Sequence, residues 1–141
     1  MTDSRRTALI AIDWGTTSAR AYRLDVAGEL LATRGAPLGI KAIQDGQFGA
    51  ALDALLGEWR DVAAPRLACG MIGSRQGWIE APYLDCPANL AALAGMLTET
   101  PGCELAIVPG VRCRGRTGVP DVMRGEETQL AGALRADAAG V

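Results

Sequence analysis

The chain contains no histidine, and that absence removes several chemistries at once. Ser-His-Asp triads, imidazole acid–base steps and His-containing zinc sites all need a side chain that is not there. Lysine is almost missing too: Lys41 stands alone, outside the Gly-Lys-Ser/Thr setting of a Walker loop. The 4 cysteines, Cys69, Cys86, Cys103 and Cys113, include no pair at C-x-x-C spacing, which argues against a zinc ribbon or a thioredoxin-type dithiol. They are expected to be reduced thiols, mostly small core residues, in a cytoplasmic protein. No apolar run approaches the roughly 20 residues of a membrane helix. The opening MTDSRR leads into no long apolar stretch, so neither a signal peptide nor a membrane partner is expected. A formal net charge of -2 offers no footprint for a nucleic-acid backbone. Aromatic residues are scarce at 4%, so each one that is present has to be accounted for.

What remains is an ordinary folded composition. The 141 residues, 49% hydrophobic and 21% charged, suffice for one domain with a real core. Residues 7–12 form a short apolar run that reads as a buried strand feeding the turn Asp13-Trp14-Gly15-Thr16-Thr17-Ser18. Residues 19–24 and 29–34, parted by Asp25-Val26-Ala27-Gly28, complete a three-stranded meander. Asp45 is the expected N-cap of a helix to about Asp61, with Phe48, Leu52, Leu55, Leu56 and Trp59 on its apolar face. A strand follows over 66–72, then a loop over 73–87, a helix over 88–97 opened by Pro87, and a strand over 104–108. Residues 112–120 read as irregular, and a last helix is expected from between Pro120 and Gly125 to about Arg135, with Leu130 and Leu134 inward. The order βββαβαβα predicts an α/β fold: a mixed sheet of about five strands with helices packed on it. A doubly wound dinucleotide fold would instead open β-α-β.

Three segments carry chemistry. An Asp at the end of a buried strand points into the turn, so Asp13 is the candidate Mg²⁺ ligand, directly or through water. Gly15 lets backbone approach a ligand, and the amides and hydroxyls of Thr16, Thr17 and Ser18 suit phosphate oxygens; the bland alternative is a polar hairpin turn. In the loop after the fourth strand, Arg75 offers a planar fork for a carboxylate and Gln76 suits sugar hydroxyls, with Ser74 assisting. Trp78 either stacks on a polyol or packs beneath the loop. In Pro120-Asp121-Val122-Met123-Arg124-Gly125-Glu126-Glu127, adjacent carboxylates either complement a helix dipole or supply a base that takes a hydroxyl proton. Adjacent helical residues project about 100° apart, so only one of Glu126 and Glu127 would face a site. Arg124 reads either as a charge near that site or as a cap. Arg112, Arg114 and Arg116 read as a solvated loop.

The strand, Asp-x-Gly-Thr-Thr turn, second strand, Gly turn and third strand over 7–34 resemble the first phosphate segment of the sugar kinase/heat-shock protein/actin superfamily. A Gly-x-Glu at the third segment resembles the phosphatase branch of that superfamily, which points to Glu127 as base, with Glu126 still open. Joined together, "AIDWGTTSARAYRLD", "CGMIGSRQGWIEAPYLDCPA" and "PDVMRGEETQL" look like the 2-dehydro-3-deoxygalactonokinase family across nearly the whole chain. The resemblance implies a ribonuclease H-like (actin-like ATPase) lobe, with ATP and Mg²⁺ as cofactors. It also implies phosphorylation of the terminal hydroxyl of 2-dehydro-3-deoxy-D-galactonate to the 6-phosphate. It further implies that residues 1–141 are the N-terminal lobe, that a C-terminal lobe is the missing partner, and that the isolated chain is inactive. Two other readings stay open: a kinase of the same superfamily for another small acid, and a non-catalytic actin-like lobe binding a partner or metabolite. Self-association into a homo-oligomer is likewise left open.

Overall fold

The computed structural model describes residues 6–85, 89–102, 105–114 and 120–124. Strands β1 (Leu9–Trp14), β2 (Ala19–Leu24) and β3 (Leu30–Ala36) form the expected antiparallel meander. The turn between β2 and β3 is organised by Asp25, whose carboxylate accepts the amides of Ala27 and Glu29 at 2.9 Å each. Helix α1 (Phe48–Leu56) lies over β2 and β3. Strand β4 (Arg66–Cys69) returns parallel to β1, and β5 (Tyr83–Asp85) and the short helix α2 (Leu90–Ala94) follow. The remaining strands are β6 (Thr98–Glu99), β7 (Ala106–Ile107), β8 (Gly110–Arg114) and β9 (Pro120–Met123).

Six strands make the main sheet, in the order β3-β2-β1-β4-β7-β6; β1, β4 and β7 are parallel and the outer pairs antiparallel. The core follows from strand alternation. Ile10, Ile12 and Trp14 bury one face of β1, and Leu52, Leu55 and Leu56 of α1 meet them. Ala19, Ala21 and Ala68, all buried, keep the neighbouring strands thin enough for the helix to sit close. Trp14 is fully buried, and its indole N–H donates to the Leu38 carbonyl at 2.7 Å. Trp59, in the 3-10 turn after α1, has the guanidinium groups of Arg23 and Arg34 each 5.5 Å from its ring centre.

The structure departs from the sequence expectation in several places. The main sheet has six strands, not about five, and the first two expected helices are present but shorter than expected, as α1 and α2. Asp45 does not cap the helix: it turns left-handed at φ 53 beside Gly46 at φ 70, and α1 starts at Phe48 after Gln47. Aspartate tolerates that conformation, so Asp-Gly makes a turn where a cap was expected. Residues 112–114, read as irregular chain, and 120–123, read as a helix start, lie in strands β8 and β9. They join β5 in a second sheet, β5-β8-β9, where Pro120 takes the opening position of an edge strand, which needs no amide donor. The remainder of the expected last helix, with Leu130 and Leu134, lies outside the described residues, as does Pro87. Cys69 is a buried cysteine outside any disulfide, but Cys113 of β8 is disulfide-bonded, which chain spacing does not reveal. Among the described residues, no helix is long and apolar enough to cross a membrane.

Candidate active site

Asp13 is half-buried near the C-terminal end of β1, in register with Cys69 at the end of parallel β4. Beyond these two ends the chain turns off into the two segments singled out above. Crevices outside the carboxyl ends of parallel strands are where such sheets bind ligands. The crossing is tight: a Cβ on Gly70, whose φ is +103, would lie 2.6 Å from the Trp14 carbonyl oxygen and 3.4 Å from Asp13 Oδ1. A side chain at position 70 would therefore push against the Trp14 carbonyl, the main chain next to the carboxylate.

The turn after β1 is polarised. The Gly15 amide donates to the Ser18 carbonyl at 2.9 Å, closing the hairpin. The carbonyls of Gly15 and Thr16 then accept the amides of Ile40 and Lys41 at 3.0 and 3.1 Å. No hydrogen bond among the described residues uses the amides of Thr16, Thr17 or Ser18. Carbonyl oxygens are thus tied back into the protein, while N–H and hydroxyl donors remain on the outer edge. A donor-rich turn of this kind fits an anion such as a phosphate chain. A Cβ added at Gly15 would meet nothing nearer than Ser18 O at 3.5 Å, an ordinary contact, so the fold itself has room there. Gly15→Ala should therefore leave unfolding stability unchanged or raise it by about 0.5 kcal/mol. If a ligand needs that space, the same change should weaken Mg²⁺-nucleotide binding about tenfold by calorimetry, the worth of one charge-assisted hydrogen bond. Among the described residues, no three His, Cys, Asp or Glu groups gather to cage a metal. A carboxylate beside a donor-rich turn is a setting that suits Mg²⁺, which keeps waters and takes phosphate oxygens as ligands.

The loop after β4 is built on the 3-10 turn Met71–Gly73. Its neck closes where the Ala81 amide donates to Gly73 O at 2.8 Å, and the Trp78 amide reaches Ile72 O at 2.9 Å. Arg75 stands out at 85% exposure, 3.7 Å from a Glu80 carboxylate oxygen, and Gln76 beside it is also exposed. An exposed pair at that distance is weak, so a ligand carboxylate can displace Glu80. Ser74 is placed differently from the expectation of substrate contact: it is buried, and its hydroxyl donates to Met71 O at 2.6 Å. Trp78 takes the packing alternative, with its ring stacked on Phe48 (6.0 Å, 13°) and edge-on to Trp14 (6.4 Å, 70°). Phe48 thus packs on one face of the Trp78 ring. Trp14 is the residue between Asp13 and Gly15, so Trp78 braces the loop against the turn.

Glu126 and Glu127 lie outside the described residues. Arg124, just before them, lies against the neck of the 73–81 loop. Three features of this region escaped sequence reading. Lys41 has its backbone on the turn, Gly39 is pressed against Thr16 and Thr17, and Arg124 is buried. None has a local signature, because each depends on chain segments that meet only in the fold.

Known proteins show the same arrangement of sequence and chain. A Rhizobium meliloti (strain 1021) protein named probable 2-dehydro-3-deoxygalactonokinase DgoK1 is 43% identical over 129 residues, covering 87% of this chain and 41% of that protein. The 2-dehydro-3-deoxygalactonokinase of Escherichia coli (strain K12) is 39% identical over 124 residues, covering 88% of this chain and 41% of its own length. The crystal structure of a Sinorhizobium meliloti protein assigned as a 2-dehydro-3-deoxygalactonokinase superposes with a TM-score of 0.77 at 41% identity, covering 91% of this chain and 43% of that one. The chain therefore spans about two fifths of the length of these relatives. The sequence pattern of the 2-keto-3-deoxy-galactonokinase family matches residues 13–141, from the candidate carboxylate onward, and the chain belongs to that family.

Proposed function

We propose that this chain is the N-terminal, ribonuclease H-like lobe of an ATP-dependent kinase for 2-dehydro-3-deoxy-D-galactonate, forming the 6-phosphate in galactonate breakdown. The observation that carries the reading is the pairing of two segments at the ends of parallel β1 and β4: a donor-rich turn beside Asp13 and a loop presenting Arg75, braced by Trp14 and Trp78. A sugar-acid kinase needs such a pair, an anion cradle for phosphates and a fork for the acceptor's carboxylate.

Asp13 would hold Mg²⁺, and Gly15, Thr16, Thr17 and Ser18 the phosphates of ATP; the bound nucleotide supplies the phosphoryl group. Arg75 pairs with the substrate carboxylate, and Gln76 contacts hydroxyls. Ser74 and Trp78 hold the loop in shape. Glu127, or Glu126, accepts the proton of the attacking hydroxyl. A second lobe closes over the site and excludes water, which limits wasteful ATP hydrolysis. Acting on ATP in a catabolic route places the enzyme in the cytoplasm.

The test is a coupled assay of the full-length protein with ATP, Mg²⁺ and 2-dehydro-3-deoxy-D-galactonate, with product position read by NMR. Absence of the 6-phosphate overturns the reading. Arg75→Ala should raise the sugar-acid KM roughly tenfold or more while leaving the ATP KM alone. An unchanged sugar-acid KM would remove Arg75 from the carboxylate role.

A further inference from the structure

We propose that Arg124 is a positioning residue that locks the neck of the 73–81 loop and thereby aims Arg75 and Gln76 at the acceptor. The aiming part rests on the kinase reading above. The body of this loop is held by the Gly77 amide on Ser74 O at 2.9 Å and by Trp78, but the two side chains offered to the acceptor stand exposed: Gln76, and Arg75 with a 3.7 Å contact to Glu80. The direction in which the loop leaves the sheet is set at its neck, where Gly73 and Ala81 are joined by the 2.8 Å amide–carbonyl bond.

Arg124 is only 8% exposed and touches both sides of that neck. Its Nη2 donates to the Ala81 carbonyl at 2.8 Å. Its Nη1 lies 2.8 Å from where a Gly73 Cβ would stand, so the missing side chain at 73 makes room for the guanidinium. The Arg124 guanidinium carbon lies 4.3 Å from the centre of the Tyr83 ring, the first residue of β5. The loop neck is thus clamped between β5 and the end of β9 by one planar cation. The Gly110 amide ties the same end of the loop to β8 through Pro82 O at 3.1 Å. Burying a guanidinium is a poor way to gain stability alone, since an apolar side chain of similar volume packs as well or better. A planar group with fixed donors does set orientation, and here that orientation is handed to the loop.

The test compares Arg124→Met and Arg124→Lys in the full-length protein by hydrogen exchange and steady-state kinetics. Arg124→Met should speed exchange of the Trp78 and Ala81 amides about tenfold, the loss of one hydrogen bond from a charged donor. The β1 amides should keep their protection. The sugar-acid KM should rise about tenfold with kcat within about twofold, because only acceptor aim is lost. Arg124→Lys should restore part of both effects, since it keeps the charge and a donor without the planar fork. Wild-type exchange at Trp78 and Ala81 in Arg124→Met overturns the proposal. So does loss of protection spread equally over β1, which would make Arg124 a general stabiliser. Should the wild-type protein fail to phosphorylate the sugar acid, the kinase reading falls, while the exchange result still decides whether the lock exists.

Discussion

Asp13→Asn in the full-length protein is expected, on the proposed kinase reading, to depress phosphoryl transfer on the order of 10²–10³-fold. Asparagine has the shape of aspartate, so the end of β1 and the Gly70 crossing need not move. The change removes the charge alone. Among the described residues no three His, Cys, Asp or Glu groups gather to hold a metal, so on this reading the charge of Asp13 carries much of the protein's share of the binding. Steady-state kinetics and titration calorimetry with Mg²⁺-nucleotide should both report it. Activity within a few-fold of wild type would show that the metal is held elsewhere, and the assignment of the turn as phosphate cradle would fall with it.

Gly39→Ala is expected to cost stability heavily, a loss of roughly 2–4 kcal/mol. The backbone there, φ -62 and ψ 168, is open to any residue, so the cause is space and not conformation. A Cβ at 39 would lie 2.3 Å from the Thr16 carbonyl oxygen and from the Thr17 carbonyl carbon, both main-chain atoms that cannot rotate away. Either the Gly39–Lys41 segment lifts off or the turn moves, and in both cases the carbonyls of Gly15 and Thr16 lose their donors. Urea unfolding measures the first consequence and nucleotide affinity the second. Wild-type stability in this variant would mean that the turn is not braced from behind as described. The contrast with Gly15→Ala separates a glycine kept for the fold from one kept for a ligand.

How far the site was legible depended on whether its residues are neighbours in the chain. The Asp13–Ser18 turn could be read because a buried strand, its terminal carboxylate and the donors that follow are consecutive. Arg75 and Gln76 could be read because the loop that presents them is short and bounded by glycines. Trp78 could be narrowed to two alternatives but not settled, since Phe48 and Trp14 reach it from 30 and 64 residues away in sequence. Asp45 misled because a capping aspartate and a left-handed aspartate before glycine look alike until the backbone is seen. Strand β9 misled because Pro-Asp opens helices and edge strands equally well, and only β8 on its flank decides between them.

By itself, then, the order of residues determined the leading meander, the apolar stripe of α1 and the chemistry offered at two bends. Those are products of alternation, helical spacing and turn residues, all of which act over a few positions. Tertiary structure alone decided that the two bends share one edge of a parallel pair. It also decided that Gly39 presses on the turn, that Cys113 is disulfide-bonded, and that a buried arginine just after β9 closes on the neck of the loop. Each of these is a contact between segments distant in the chain, set by close packing and not by any local preference.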